Sequence, residues 1–456
     1  MKSALRYLCC FVLSFALVSC GSDDDEQPKA DACNFQAQTG CETGQVCETG
    51  VDGTPACFAP VSIQGRVYDV SDDSAVEGAR VVARDANDVA ISGVAVTDKD
   101  GKYSLRVPAK RDATGKAQKT DYTLRADAAG FLTFPKAPRI ALPVDVSTAA
   151  GDPLTVANAA TDIGLVPLEN AAGLGSISGK VLADHPAGTL VVAAGATGTA
   201  DTNGEYTIFN LPAGNHEVRG YLSGVNLQSR NAEVKATENT SGVDLDVLGD
   251  ATATVSGNVN IVNAPGGSVT SVILAVKDTF VVNAARGEAP PGLRAAGVNG
   301  SFNIPNVPDG TYVALAAFEN DGLVRDPDVN IGGTAIVEVT VTGPDVSLAQ
   351  NFKVTAALEV FAPKDGQSVS SVPLFSFEDD SSEETYTVWL FDVLGNEIWK
   401  KENIAGPKGS KPVDVSFDGD VTTLKSGSFY QFRAVSIKAG SAISATEDLK
   451  GVFFYE

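Results

Sequence analysis

The sequence predicts an all-β chain in which β-sandwiches follow one another in tandem. Three observations carry this. No stretch sustains an apolar 3.6-residue period, so no amphipathic helix is expected. One strand-and-turn pattern recurs three times between residues 61 and 354. Each copy places an Asp-Gly or Asn-Gly turn directly before an alternating aromatic and aliphatic pair. Composition sets the bounds. The 456 residues are 43% hydrophobic and 20% charged, which supplies packed cores and excludes wholesale disorder. Length predicts about three domains, or four small ones. Asp and Glu number 57 against 34 Lys and Arg, a net charge of −23 that repels phosphate and argues against a nucleic-acid partner. Two histidines and one methionine are a thin set for catalysis, and no cofactor is expected.

The chain opens MKSALRYLCCFVLSFALVSC. Lys2 and Arg6 form a positive segment, and Leu8 to Val18 form an apolar run too short to cross a hydrocarbon core of ~30 Å. The run ends Leu17-Val18-Ser19-Cys20, which resembles the lipobox of bacterial lipoproteins. That resemblance implies a leader over 1–19 and a diacylglycerol on Cys20, with a further acyl chain, such as palmitate, on the new N-terminus. One chain holds a membrane marginally, and about three hold it stably. The expected address is the outer membrane of a Gram-negative bacterium, facing either the periplasm or the cell surface. Residues 20–32 are polar and acidic and read as a flexible tether. Their acidic run also resembles the surface-export signals of some lipoproteins; a plain solvated spacer is the alternative. No later window is apolar enough to span a membrane.

Residues 33–60 form a loop-rich module holding Cys33, Cys41, Cys47 and Cys57. In an exported chain an even count at short spacing predicts two disulfides, with three pairings open. A zinc site is disfavoured, because there is no C-x-x-C pair and no histidine nearby.

The repeat follows. Its first strand reads Ile63-Gln-Gly65-Arg-Val67, Ile177-Ser-Gly179-Lys-Val181 and Val255-Ser-Gly257-Asn-Val259. Its turn and second strand read Asp98-Lys-Asp-Gly101-Lys-Tyr103-Ser-Leu105, Asp201-Thr-Asn-Gly204-Glu-Tyr206-Thr-Ile208 and Gly297-Val-Asn-Gly300-Ser-Phe302-Asn-Ile304. Pro108, Pro212 and Pro308 come next. In the second and third copies Gly214 and His216, then Gly310 and Tyr312, complete the pattern. The first copy departs from it by inserting Lys110 to Lys119 before Tyr122 resumes the strand. Together these motifs resemble the carboxypeptidase regulatory-like domain, a transthyretin-like β-sandwich, over 61–168, 175–248 and 251–354. The family name denotes an accessory fold and implies no peptidase activity. Each copy has its own inward alternation, so each is expected to bury a core of its own and to follow its neighbour in a rod.

Residues 357–456 change grammar. Pro373-Leu-Phe-Ser-Phe377 and Tyr386 to Asp392 read as strands flanking the acidic loop Glu378 to Glu384. Leu424-Lys-Ser-Gly427-Ser-Phe-Tyr430 resembles the motif that opens a strand in fibronectin type III and other immunoglobulin-like domains. The resemblance implies a tyrosine corner at Tyr430, whose hydroxyl bonds upstream backbone.

No nucleophile elbow, zinc-protease or phosphate-loop motif occurs. His185 lies in a turn sequence, and His216 sits where Tyr312 does in the third copy, so neither is expected to be catalytic. Asp98-x-Asp100-Gly101 hints at calcium, but no downstream glutamate completes a loop, so no metal is expected. Along Tyr386 to Phe391, Tyr386, Val388 and Leu390 alternate inward. Trp389 and Phe391 then face outward, where a sandwich strand is usually polar. They are the candidate binding residues, as a sugar-stacking platform or a docking patch, unless another part of the chain covers them. The sequence therefore reads as a non-enzymatic, membrane-anchored scaffold, spacer or adhesion protein. The alternative is a carbohydrate-binding accessory lipoprotein.

Overall fold

The computed structural model describes residues 33–34, 39–85, 90–135, 141–262, 270–282, 287–318, 326–327, 336–355, 357–380, 383–393, 395–407, 412–447 and 450–456. The expected leader 1–19, the expected lipidation site Cys20 and the expected tether 20–32 lie outside them, as do Ser381 and Ser382 of the acidic loop. Among the described residues every regular element longer than three residues is a strand, so the chain is all-β. None of its described helices is long and apolar enough to cross a membrane.

In the N-terminal module Val46–Thr49 pairs antiparallel with Pro55–Phe58, with Cys47 opposite Cys57. The bridges are Cys33–Cys47 and Cys41–Cys57. Sulfurs of Cys33, Cys41 and Cys47 lie within 4.8 Å of one another, but each is bonded in a disulfide, which leaves no thiolate for a metal.

The repeat in the letters is a repeat in strand pairing. In the first copy Val61–Asp69 runs antiparallel to Lys102–Val107 and parallel to Thr155–Val156 and Ile163–Leu165. Facing that sheet, Arg80–Arg84 lies between Ala95–Val96 and Asp121–Asp127, which also pairs with Val144–Asp145. The second copy repeats every pairing. Gly175–Leu182 takes Glu205–Leu211, Asn239–Thr240 and Leu245–Asp250. Leu190–Ala193 lies between Ala196–Thr199 and Gly214–Leu222, which pairs with Arg230–Val234. In the third, Ala253–Val262 takes Ser301–Val307, Val346–Ser347 and Phe352–Thr355. Thr270–Val276 lies between Arg294–Val298 and Gly310–Phe318, paired with Val337–Val341.

The motif residues have mechanical roles. Gly101 and Gly204 turn at φ 72° and 79°. Oδ1 of Asp98 accepts the amides of Asp100 and Lys102, and that of Asp201 accepts those of Asn203 and Glu205. The calcium-like spacing is therefore an Asx turn whose carboxylate is committed to backbone. A Cβ on Gly65 would stand 2.1 Å from the Thr161 carbonyl oxygen, and one on Gly179 2.0 Å from that of Val243. The same two carbonyls accept hydrogen bonds from Tyr103 (2.5 Å) and from Tyr206. Burial pushes both phenols upward. The third copy has Phe302 in place of the tyrosine, and a Cβ on Gly257 would meet that ring at 2.9 Å and the Leu348 Cβ at 3.4 Å. The proline corner is also shared. Tyr312 donates to the Pro308 carbonyl at 2.7 Å, Nε2 of His216 lies 2.7 Å from that of Pro212, and Tyr122 donates to Pro108 at 3.0 Å across the insertion.

Each copy buries a core, but the core of the third is completed by residues of the second. Leu190–Ala193 is buried along its whole length. Val191 and Ala193 enter the second core, while Leu190, Val192 and Tyr221 pack into the third. The Tyr221 and Tyr312 rings meet edge to face at 5.9 Å. A four-residue apolar run shows no alternation, so it conceals its second buried face.

In the C-terminal domain Val360–Ala362, Leu374–Phe377 and Val413–Ser416 form the smaller sheet. The larger runs Gln367–Val369, Val452–Tyr455, Ser428–Lys438, Thr385–Asp392 and Glu397–Ile404, with Ser441–Ala445 on the edge of Ser428–Lys438. Phe375, Phe377, Tyr386 and Phe432 are fully buried between the sheets. The Tyr430 hydroxyl accepts the Lys425 amide at 2.6 Å, five residues upstream. Tyr430→Phe is expected to lower the stability of this domain by about 1 kcal/mol, the net worth of one hydrogen bond. Urea unfolding of the full chain, followed by tryptophan fluorescence, measures it, because Trp389 and Trp399 both lie here. An unchanged midpoint would show that the corner contributes nothing.

Candidate functional site

Trp389 and Phe391 lie on the outer face of the larger C-terminal sheet, opposite the fully buried Tyr386, Val388 and Leu390. Cross-strand register places Lys400 and Arg433 on either side of Trp389, and Gln431 beside Phe391. Both aromatics are half-buried. The Lys400 ammonium stands 5.5 Å from the Trp389 ring centroid and is also paired with Glu402. Thr387 on the same face is buried, so this face is less open than its sequence implies. Trp399 points to the opposite layer, against Phe375 and Phe417, and its Nε1 donates to Asp418 at 2.9 Å.

His185 is exposed. His216 is half-buried, with Nε2 at the Pro212 carbonyl described above. In the acidic loop the Tyr386 hydroxyl donates to Asp379 and accepts the Asp380 amide, while Ser436 donates to Asp380. Burial raises the Glu383 carboxyl, and Asp379 and Asp380 add to the rise.

The strongest concentration of buried charge lies elsewhere, at a junction of all three copies. Arg125 is fully buried on the back of the strand whose front carries Tyr122, Leu124 and Ala126. Its Nε and Nη2 donate to the two oxygens of Asp127, at 2.7 and 2.9 Å. Nη2 also reaches Thr197 Oγ1 of the second copy at 2.7 Å, and Nη1 reaches Glu288 of the third at 2.6 Å. Arg84 joins Glu288 at 3.1 Å, and Thr133 donates to Asp127. Burial alone would raise the Glu288 carboxyl, but the charges and hydrogen bonds of Arg125 and Arg84 outweigh it and hold it at about 2. Two guanidinium and two carboxylate groups balance in charge, so the cluster fastens sandwiches together. Because the first copy touches the third, these sandwiches do not follow one another as a simple rod.

Nearby joints repeat this fastening in polar form. Asn210 of the second copy, at φ 61°, accepts the Gly130 amide and donates to the carbonyls of Ala128 and Phe131 in the first. Asn306 of the third, at φ 59°, accepts the Gly224 amide of the second through its carbonyl, and the Asp309 amide donates to Asn226. Sequence reading missed all of these. The only signal was an arginine, Arg125, at an outward position of an alternating strand, and charge there normally means solvent.

No family model matches the sequence, and no curated protein matches it. Among solved structures the chain is similar to the Bacillus anthracis TIE protein at 11% identity and a TM-score of 0.16, covering 91% of this chain and 71% of that one. It is similar to a streptococcal ancillary pilin at 12% identity and a TM-score of 0.17, with 64% and 99% covered. A DUF3823 family protein from Bacteroides uniformis gives 12% and 0.21, with 45% and 100% covered. None of these likenesses bears on function.

Proposed function

We propose that the protein is a non-enzymatic scaffold or adhesion protein of the bacterial surface or periplasm, held to the outer membrane by lipid on Cys20. The observation that supports this best is the junction of Arg84, Arg125, Asp127, Thr197 and Glu288. It commits two buried arginines and their carboxylate partners to fastening sandwiches instead of opening them to a substrate. Such joints suit a chain whose work is to hold a shape at a membrane.

The test is Cys20→Ala in cells fed a labelled fatty acid. The expected result is an unprocessed precursor with no label and loss from the membrane fraction. Label and fractionation like those of the unaltered protein would overturn the anchor. A carbohydrate-binding role is the second reading, and it rests on the partial exposure of Trp389 and Phe391 on one sheet face. On a glycan array, signal from the unaltered protein that Trp389→Ala abolishes would support it.

A further inference from the structure

We infer that the N-terminal cysteine module is a redox-sensitive clasp on the first sandwich, and that the insertion breaking the repeat pattern is its receptor. The insertion carries Arg111, which is only 1% exposed. Almost every group around it belongs to the module. Its Nε donates to Glu48 Oε2 at 2.5 Å, its Nη2 to the Ala59 carbonyl at 2.8 Å, and its amide to the Thr49 carbonyl at 3.1 Å. Its guanidinium lies 5.1 Å from the Phe58 ring centroid. Glu48 is 3% exposed and accepts the Ala109 amide through its other oxygen at 3.0 Å. Burial raises the Glu48 carboxyl, an effect the Arg111 charge partly offsets. The clasp closes on the residue after Pro108, the corner whose counterpart after Pro308 receives Asn226 of the second copy. The module thus caps the first copy much as the second copy caps the third.

The disulfides hold the cap's shape. Among its described residues the module has one two-stranded ribbon of four-residue strands, which is marginal alone in water. Glu48 follows the buried, bridged Cys47, and Phe58 follows the bridged Cys57. An external dithiol that reduces a bridge passes two electrons and two protons to it. The dithiol leaves as its own disulfide, and two cysteine thiols remain. With both bridges open, nothing fixes Glu48, Phe58 and Ala59 around Arg111, and the cap lets go while the sandwiches stay folded.

The test is hydrogen exchange of the full mature chain, with and without dithiothreitol, read by mass spectrometry. Once four thiols from residues 33–57 are titrated, fragments covering Ala109 to Arg111 are expected to exchange at least tenfold faster. Fragments covering Val191 and Val192 of the second copy should be unchanged. Glu48→Gln with both bridges intact is expected to expose the same two amides, since it removes the charge and keeps the shape. Continued protection of Ala109 and Arg111 after full reduction would overturn the clasp. So would an equal loss of protection in the second copy, or full protection in Glu48→Gln.

Discussion

Arg125→Ala is expected to destabilise the three joined sandwiches by about 3–5 kcal/mol, the cost of removing one partner from a buried ion pair. The substitution leaves Asp127 and Glu288 without the guanidinium that stands between them, while Arg84 stays paired with Glu288. Scanning calorimetry of the full chain measures the effect in the transition of residues 61–355. The C-terminal transition, reported by tryptophan fluorescence, should stay in place. A change below about 1 kcal/mol would mean that the network is solvated and works like an exposed pair. Acid should act on the same cluster. The folded-state value for Glu288 lies below the ordinary value of about 4.3. Its stabilisation is therefore complete above that ordinary value and is lost as pH falls toward about 2. Unaltered protein should lose stability across this window more steeply than Arg125→Ala, in which the depression is largely gone.

Gly179→Ala is expected to cost about 3 kcal/mol, at the upper end of overpacking effects. The new Cβ would stand 2.0 Å from the Val243 oxygen and 2.5 Å from its carbonyl carbon, so backbone must move. Moving it also breaks the Tyr206 hydrogen bond to that oxygen. Gly65→Ala should behave alike, because Thr161 and Tyr103 repeat the geometry. Gly257→Ala should cost less than either, since its nearest neighbours are side-chain atoms of Phe302 and Leu348 and not a backbone carbonyl. Thermal unfolding of the three variants decides the matter. Equal losses at all three would remove the carbonyl contact as the reason for the glycine.

Much of the architecture was legible in the residues, because its physics is local. The Asp-Gly or Asn-Gly turn, the alternating aromatic and aliphatic pair and the proline corner each act within a dozen residues, and each recurs three times along the chain. The register match of His216 with Tyr312 was readable in the same way, and both rings meet a proline carbonyl four residues upstream. Tyr430 announced its corner because donor and acceptor lie five residues apart. Alternation in the sequence separates Trp389 and Phe391 from the buried Tyr386, Val388 and Leu390, and in the structure the two aromatics are half-buried. Their half-burial was not readable, since their cross-strand neighbours, Lys400 and Arg433 for Trp389 and Glu397 and Gln431 for Phe391, come from two other strands.

The all-β class, the threefold pattern and the set of cysteines available for bridging follow from the residues and their order. Tertiary structure alone decided which cysteines pair, and that Arg111 serves the cysteine module. It also decided that Leu190 and Val192 fill a neighbour's core, and that Arg84 and Arg125 of the first copy meet Glu288 of the third. The physical reason is range. Period and turn chemistry report which side of a strand is apolar, but a buried arginine and a solvated one look the same until their partner arrives, 163 residues away in the case of Arg125 and Glu288.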